Sequence, residues 1–377
     1  MPDKFKGSLS AREVCQAVEA GVHSHFPGAH FRSFAASDGG DGFLEAVGAV
    51  RDLKRCTATV TDPLGRPVEA EFLYDPVRRE AFVEMARASG LVLLAEAERN
   101  PLQTSTLGTG RLIREALDRG ALTIYVGLGG SATNDAGMGI ASAFGFVFLD
   151  DAGRPLEPVG GNLLRVHEIR KPEKAWLPEG ARLVAVNDVI NPLWGPEGAA
   201  HVYGPQKGAG PEVVALLDRG LRHLDNLAGR QLGIRGGALP GSGAAGGTAY
   251  GLRVFLGAEF VSGSDYVIRY SGLADSLRRQ PADLLITGEG KIDSQSLQGK
   301  LIQGVLRLGA EYGIPVLAVC GRCELDPQTL QNAGFRAVIE VADPSKPLSW
   351  NLENAFACTE KAVASYFGGI SGGVTGW

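Results

Sequence analysis

Three stretches of this sequence set acids and amides among glycines directly after a short apolar run. They are Ser37–Gly42 (SDGGDG), Gly129–Gly137 (GGSATNDAG) and Gly288–Gly299 (GEGKIDSQSLQG). Backbone N–H groups at such junctions, with the N-terminus of a following helix, attract phosphate or carboxylate. Asp38, Asp41, Asp135 and Asp293 lie within these stretches, and Asp188 follows the apolar run Arg182–Val186. Carboxylates in such places hold Mg2+ or take a proton from a hydroxyl. Lys4, Lys6, Lys207 and Lys300 supply cations. Together these groups meet the needs of phosphoryl transfer, which uses in-line placement, cations around the phosphates and a base at the acceptor. Each loop by itself reads better as a structural turn, because Gly and Asn supply positive φ. The threefold recurrence of one design, each time with Asp, is what points to a site.

Other chemistries fit less well. Gly288-Glu-Gly290-Lys-Ile-Asp293 has Asp where a dinucleotide fingerprint has its third glycine, and Gly299-Lys300 lacks the flanking residues of a phosphate-binding P-loop. His23 and His25 are two apart on a helical stretch and do not converge on a metal. Cys320-Gly-Arg-Cys323 has redox spacing, but the plainer reading is a strand end that carries two thiols. Five cysteines in 377 residues form no disulfide framework and suit a reducing compartment. A net charge of −5 leaves no basic footprint for nucleic acid or an anionic membrane. No bilayer-length apolar run and no signal-peptide pattern occur, so the expected location is the cytoplasm.

The elements that must position these loops follow from periodicity. Ser10 and Glu13 stand at capping-box spacing before apolar residues at helical period from Val14 to Val22. A strand is expected over 30–36 and a helix over 43–50. Residues 56–61 and 68–74 flank the turn cluster Asp62–Pro67 and predict an antiparallel pair, with a third strand over 80–85. Residues 104–110 form a Ser/Thr/Gly loop before a helix over 111–119. Residues 122–128 and 182–186 read as strands, and 138–144 as a helix of small residues. Residues 195–212 and 236–251 are Gly-rich and poor in periodicity. Residues 283–287, 300–312 and 314–319 make a βαβ unit, followed by an apolar segment over 337–341 and a helix over 354–367. Length alone favours two domains. The expected architecture is α/β: a doubly wound Rossmann/flavodoxin-like domain built from both termini (1–60 plus 283–377), and an inserted α/β domain with antiparallel strands (61–282). Glycine, at 53 residues, is about twice its usual share.

At these motifs the chain resembles the type-1 glycerate kinase family of bacteria. The resemblance rests on PDKFKGSLSA (2–11), SDGGDG (37–42), GLGGSATNDAGMG (127–139), NDVINPLWGPEGAA (187–200), YGPQKGA (203–209), PGSGAAGG (240–247) and TGEGKIDSQSLQGK (287–300), in order along essentially the whole chain. It implies two α/β domains with the active site in the cleft between them. It also implies ATP- and Mg2+-dependent phosphorylation of D-glycerate, with 2-phosphoglycerate preferred over 3-phosphoglycerate as product, by a monomer or homodimer. A kinase of another small hydroxy acid, or a non-catalytic small-molecule-binding protein, are the alternatives.

Carried onto these positions, the catalytic candidates are Asp188 (as base), Lys6 and Asp293. The substrate side is Asp3, Lys4, Ser8, Asp38, Gly130, Ser131, Asn134, Asp135 and Lys207. Gly243, Gly246, Gly247, Gly288, Glu289, Gly290, Ser296 and Lys300 are expected at the nucleotide, and Glu289 and Asp293 at Mg2+. Two positions depart from the family pattern. A short apolar strand usually precedes the PDxFKGS segment, whereas Met1 stands directly before Pro2, which implies a start upstream or a missing interior strand. Asp41 replaces the commoner Glu.

Overall fold

The structure, a computed structural model, describes residues 1–5, 7–34, 42–48, 53–174, 177–263, 266, 273–294, 296–297 and 300–371. The chain divides into two compact units. One comprises Asp38–Leu44 and Arg51–Gly263, the other Met1–Ser37, Glu45–Val50 and Ser264–Trp377. Among the described residues no helix is long and apolar enough to cross a membrane.

The Arg51–Gly263 unit contains β1 (Lys54–Thr61), β2 (Pro67–Asp75), β3 (Glu80–Glu84), β4 (Thr123–Gly127), β5 (Val147–Leu149), β6 (Glu168–Arg170), β7 (Arg182–Val186) and β8 (Glu259–Val261). Six of them form one sheet in the order β1-β2-β3-β4-β7-β8, and β5 pairs with β6 separately. β1, β2 and β3 are an antiparallel meander. The β1–β2 turn is organised by Asp62, whose Oδ1 accepts the N–H groups of Leu64 and Arg66 at 2.8 and 2.9 Å. β3, β4, β7 and β8 run parallel. β4 and β7 are buried from their second residue onward, as a parallel sheet covered on both faces requires, and this is why they read as unbroken apolar runs.

Gly-rich stretches hid three helical segments here in the sequence. The stretch 236–251, expected to be irregular, has left-handed backbone at Ala245, Gly246 and Gly247 and then enters the helical run that ends at Leu256. Glycine weakens helix propensity, but at Gly251 its missing side chain is a packing requirement. A Cβ there would lie 2.4 Å from the Ala136 carbonyl oxygen and 2.6 Å from Gly137 Cα. The stretch 195–212 contains the short helix Ala199–Tyr203 and the start of the long helix Pro211–Gln231.

The other unit holds β9 (Leu285–Ile292), β10 (Val316–Cys323) and β11 (Phe335–Glu340), parallel in the order β11-β10-β9. The helix Lys300–Tyr312 connects β9 to β10. β9 runs on through Gly288–Ile292, where a polar loop was expected, because Gly288 permits close approach of the neighbouring strand: its Cβ would lie 2.1 Å from the Val319 carbonyl oxygen. β10 likewise continues through Cys320–Cys323. Residues three apart on a strand point to opposite faces, and burial pushes the Cys320 thiol far above its ordinary range, so the plain reading of this pair holds. The strand expected over 30–36 is not formed in its described part, residues 30–34. Residues 28–34 and 282–286 instead line a cavity of about 1050 Å3, which leaves residues 30–34 without a ladder partner. Met1–Asp3 lies along β9, with the Met1 amino group donating to Ile286 O at 2.5 Å and Asp3 N to Gly288 O at 2.8 Å. Burial lowers the pKa of that amino group to about 6.

The capping box at Ser10 and Glu13 is formed in both directions, and Val14, Ala17, Val18, Gly21 and Val22 make the buried face of the helix Ala11–His23. Gly21 lets this helix touch the helix Ala355–Ser371 directly, since a Cβ there would lie 2.6 Å from Glu360 O and 2.8 Å from Val363 Cβ. Gly21→Ala should therefore cost about 1–3 kcal/mol despite its better helix propensity. Urea unfolding reads this directly, and a gain in stability would show that the two helices separate without penalty.

Candidate functional site

Because β3, β4, β7 and β8 are parallel, their carboxyl ends emerge on one edge of the sheet, the edge at which open α/β sheets receive ligands. The segments leaving that edge begin at Met85, Leu128, Asn187 and Ser262. The β4 loop is stitched to its neighbours: Leu128 N donates to Val186 O, Leu91 N to Gly130 O and Ala132 N to Ser89 O.

Two ionisable side chains buried in the protein hold this loop. Asp135 is fully buried. Its Oδ2 accepts the Thr106 N–H and hydroxyl, each at 2.8 Å, and the Gly139 N–H at 3.1 Å, while Oδ1 accepts the Gly137 N–H at 3.1 Å. Burial raises its pKa and these four donors pull it back. Lys207, on the turn Pro205–Lys207, is 1% exposed. Its Nζ donates to Ser131 Oγ and Thr133 O, each at 2.7 Å. Burial lowers its pKa to about 7 against the pull of the Asp135 charge. Between these anchors, both polar atoms of the Asn134 side chain and the Thr133 hydroxyl are buried and find no partner among the described residues. Each such group costs about 1–3 kcal/mol if left unpaired, so the loop is suited to meet a polar ligand or water.

The backbone here is strained in a localised way. Ala136 and Ala245, neither a glycine, have φ of 53° and 55°. The two segments abut, with Ala136 N donating to Gly246 O at 3.2 Å. Gly246 has φ of 67°, and a Cβ on it would lie 2.0 Å from Thr133 O and 2.7 Å from Asn134 Cα. Positive φ at non-glycine positions costs on the order of 1–3 kcal/mol each and persists where surrounding structure enforces it.

The structure therefore gathers Gly130, Ser131, Asn134, Asp135, Lys207, Gly246 and Gly247 around one loop. Asp188 lies on the adjacent β7 loop, its Oδ1 accepting the Ser262 hydroxyl at 2.8 Å. Gly243 borders the same segment through its N–H to Asn191 O, and Asn191 is fixed by the Tyr203 hydroxyl at 2.7 Å. The remaining described candidates belong to the other unit. Asp3 Oδ1 accepts the Lys4 N–H, and the Ser8 hydroxyl donates to Phe5 O. Gly288, Glu289 and Gly290 lie on β9. Asp293 braces the turn after β9 through Ser296 and pairs with Lys291 at 3.2 Å. Lys300 opens the helix that follows. Lys6, Asp38, Asp41 and the Lys300 side chain lie outside the described positions.

Thr106 and Ser262 escaped sequence reasoning. Thr106 lay in a recognised Ser/Thr/Gly loop, and a buried Asp nearby in the fold would have named it as a donor. Ser262 had no such signal.

A profile of the glycerate kinase family matches residues 1–368. The chain is similar to the glycerate kinase of Bacillus subtilis (strain 168), at 39% identity over 362 residues, 96% of this chain and 94% of the relative. It is similar to the glycerate 2-kinase of Escherichia coli (strain K12), at 39% identity over 340 residues, 90% of this chain and 89% of the relative. It also resembles a crystal structure of a protein assigned as glycerate kinase 2 from Salmonella typhimurium LT2, with a TM-score of 0.80 and 37% identity over 98% of this chain and 97% of that one.

Two outcomes are expected of the loop. Gly246→Ala should destabilise by roughly 3 kcal/mol or more, since backbone blocks the new Cβ and φ is positive; a wild-type melting temperature would show that the close contact yields. Lys207 titrates near 7 when folded and at its ordinary 10.5 when unfolded. Between these values the unfolded chain holds more protons, so this residue makes stability rise with pH across that window, and below it both states are protonated. Lys207→Met should remove the rise. Denaturation midpoints of the two proteins between pH 7 and 10 test this, and a constant difference would show that folded Lys207 stays charged.

Proposed function

The chain belongs to the glycerate kinase family, and on that premise we propose that it transfers the γ-phosphoryl group of ATP to a hydroxyl of D-glycerate, giving 2-phosphoglycerate. The observation that carries this reading is the β4 loop at the carboxyl edge of the parallel strands, with Asp188 on the next loop and, between its anchors, buried polar groups without partners among the described residues. Glycerate is an anion with two hydroxyls, and it needs a donor cluster for the carboxylate and an acceptor for the reacting hydroxyl. We assign Gly130–Asp135 to the first role and Asp188 to the second, with Ser262 holding the Asp188 carboxylate in place. A base in this position takes the hydroxyl proton as the oxygen attacks phosphorus.

The nucleotide phosphates are assigned to Gly288–Gly290, with Lys300 as a cation. Mg2+ arrives with ATP and needs only one or two protein carboxylates, the phosphates and water completing its shell. Among the described residues no group of three or more His, Cys, Asp or Glu side chains is poised to hold an ion. Glu289 lies on β9 and Asp293 in the turn that follows it. With Asp293 engaged by Lys291 and Ser296, Glu289 is the carboxylate we assign to Mg2+, where the ion neutralises phosphate charge.

Coupled detection of ADP, with ATP, Mg2+ and a panel of small hydroxy acids, should give the fastest release with D-glycerate, and phosphorus NMR should identify the 2-phosphate. Release with no acid in the panel would overturn the assignment. Asp188→Asn should lower kcat by about 100-fold or more with the melting temperature little changed; retained turnover would remove it as the base.

A further inference from the structure

Lys207 was expected to touch substrate, but at 1% exposure its nitrogen is sealed beneath the loop. Two of its hydrogen bonds go to that loop, at Ser131 Oγ and Thr133 O. An ammonium has donors only, so in the first bond the Ser131 oxygen is the acceptor. The hydroxyl hydrogen must then turn to a second acceptor, and none is found among the described residues. Ser131 follows the partly exposed Gly129 and Gly130 and is itself 6% exposed, whereas Ala132 through Asp135 are at most 1% exposed.

We infer that Lys207 is a positioning residue acting through Ser131, whose hydroxyl it fixes as an outward donor for one oxygen of the substrate carboxylate. A hydrogen bond from a hydroxyl backed by a cation to an anion is charge-assisted and short. It lets a buried charge reach the ligand without itself being exposed. Asp135 acts on Lys207 through its charge, and Arg99 borders the turn that carries it. The first raises the nitrogen's hold on its proton, and the second packs its main chain on Gly208. A bound carboxylate adds to the pull of Asp135 and keeps the ammonium form in place. The inference rests on the assignment of this loop to glycerate.

The test is a double-mutant cycle in steady-state kinetics with Ser131→Ala, Lys207→Met and the pair. Each single change should raise KM for D-glycerate by about 10-fold, with KM for ATP and kcat altered only a few-fold, and the double variant should be no worse than the worse single one. Effects that multiply to about 100-fold would show that Lys207 reaches the substrate by a route of its own. A loss confined to kcat would likewise overturn the inference. Should Lys207→Met fail to fold, calorimetric titration of wild type and Ser131→Ala with D-glycerate and its uncharged methyl ester decides the matter. Wild type should prefer the acid and the variant should lose that preference; an equal preference in both would sink the proposal. If another hydroxy acid proves to be the acceptor, the same cycle run with that acid keeps its expected non-additivity, so the functional reading and this inference fail separately.

Discussion

An ammonium and a carboxylate kept away from water inside one loop set the terms for everything around them. Burying either charge costs several kcal/mol unless its hydrogen bonds are met in full. Asp135 meets that condition with four donors, three of them main-chain N–H groups. Lys207 has a hydroxyl and a carbonyl as acceptors for two of its three N–H donors. These demands fix where the 104–109 segment, the turn at Pro205–Lys207 and the start of the helix Met138–Ala143 must lie. The parallel strands β4 and β7 are what bring the loop to a sheet edge at all.

The same demand explains much of the glycine excess. In the sequence, glycine clusters in the conserved-looking motifs and suggests backbone laid against phosphate. In the fold a large part of it lets backbone meet backbone. Gly288 lies beneath the β10 carbonyl of Val319, and Gly251 against Ala136 and Gly137. Precision at the loop is thus obtained through main-chain contacts, which have no rotamers to freeze. That is a less costly way to hold a group within a few tenths of an ångström than packing long side chains.

What was legible in the sequence was local. The Ser10 capping box, the β1–β2 turn around Asp62 and the apolar runs of β4 and β7 carry their own signals in adjacent residues. Of the three Gly/Asp loops, Ser37–Gly42 lies almost wholly outside the described residues, and the first part of another proved to be strand: Gly288–Ile292 extends β9, because glycine there serves inter-strand approach. Lys207 was singled out as a cation, but nothing nearby in the chain announces that it is buried or that Ser131 is its partner, 76 residues away. Ser262 became visible only once β7 and β8 lay side by side. The helix Ala244–Leu256 was obscured because three of its first four residues after Ala244 have left-handed backbone. Such geometry is enforced by packing, and propensity argues against it.

The loop's anchors come from remote parts of the chain, Thr106 at 29 residues from Asp135 and Lys207 at 76 from Ser131. Contacts at such separations form after loop-closure entropy has been met, and they form slowly compared with helices and hairpins. During folding, the β1–β2 hairpin and the isolated helices assemble first. The donor and acceptor set around the β4 loop closes only when the Pro205–Lys207 turn and the Gly246 segment have docked. Secondary structure therefore returns in a refolding chain before the buried polar contacts of the β4 loop do, and that loop is the final piece of this unit to take its form.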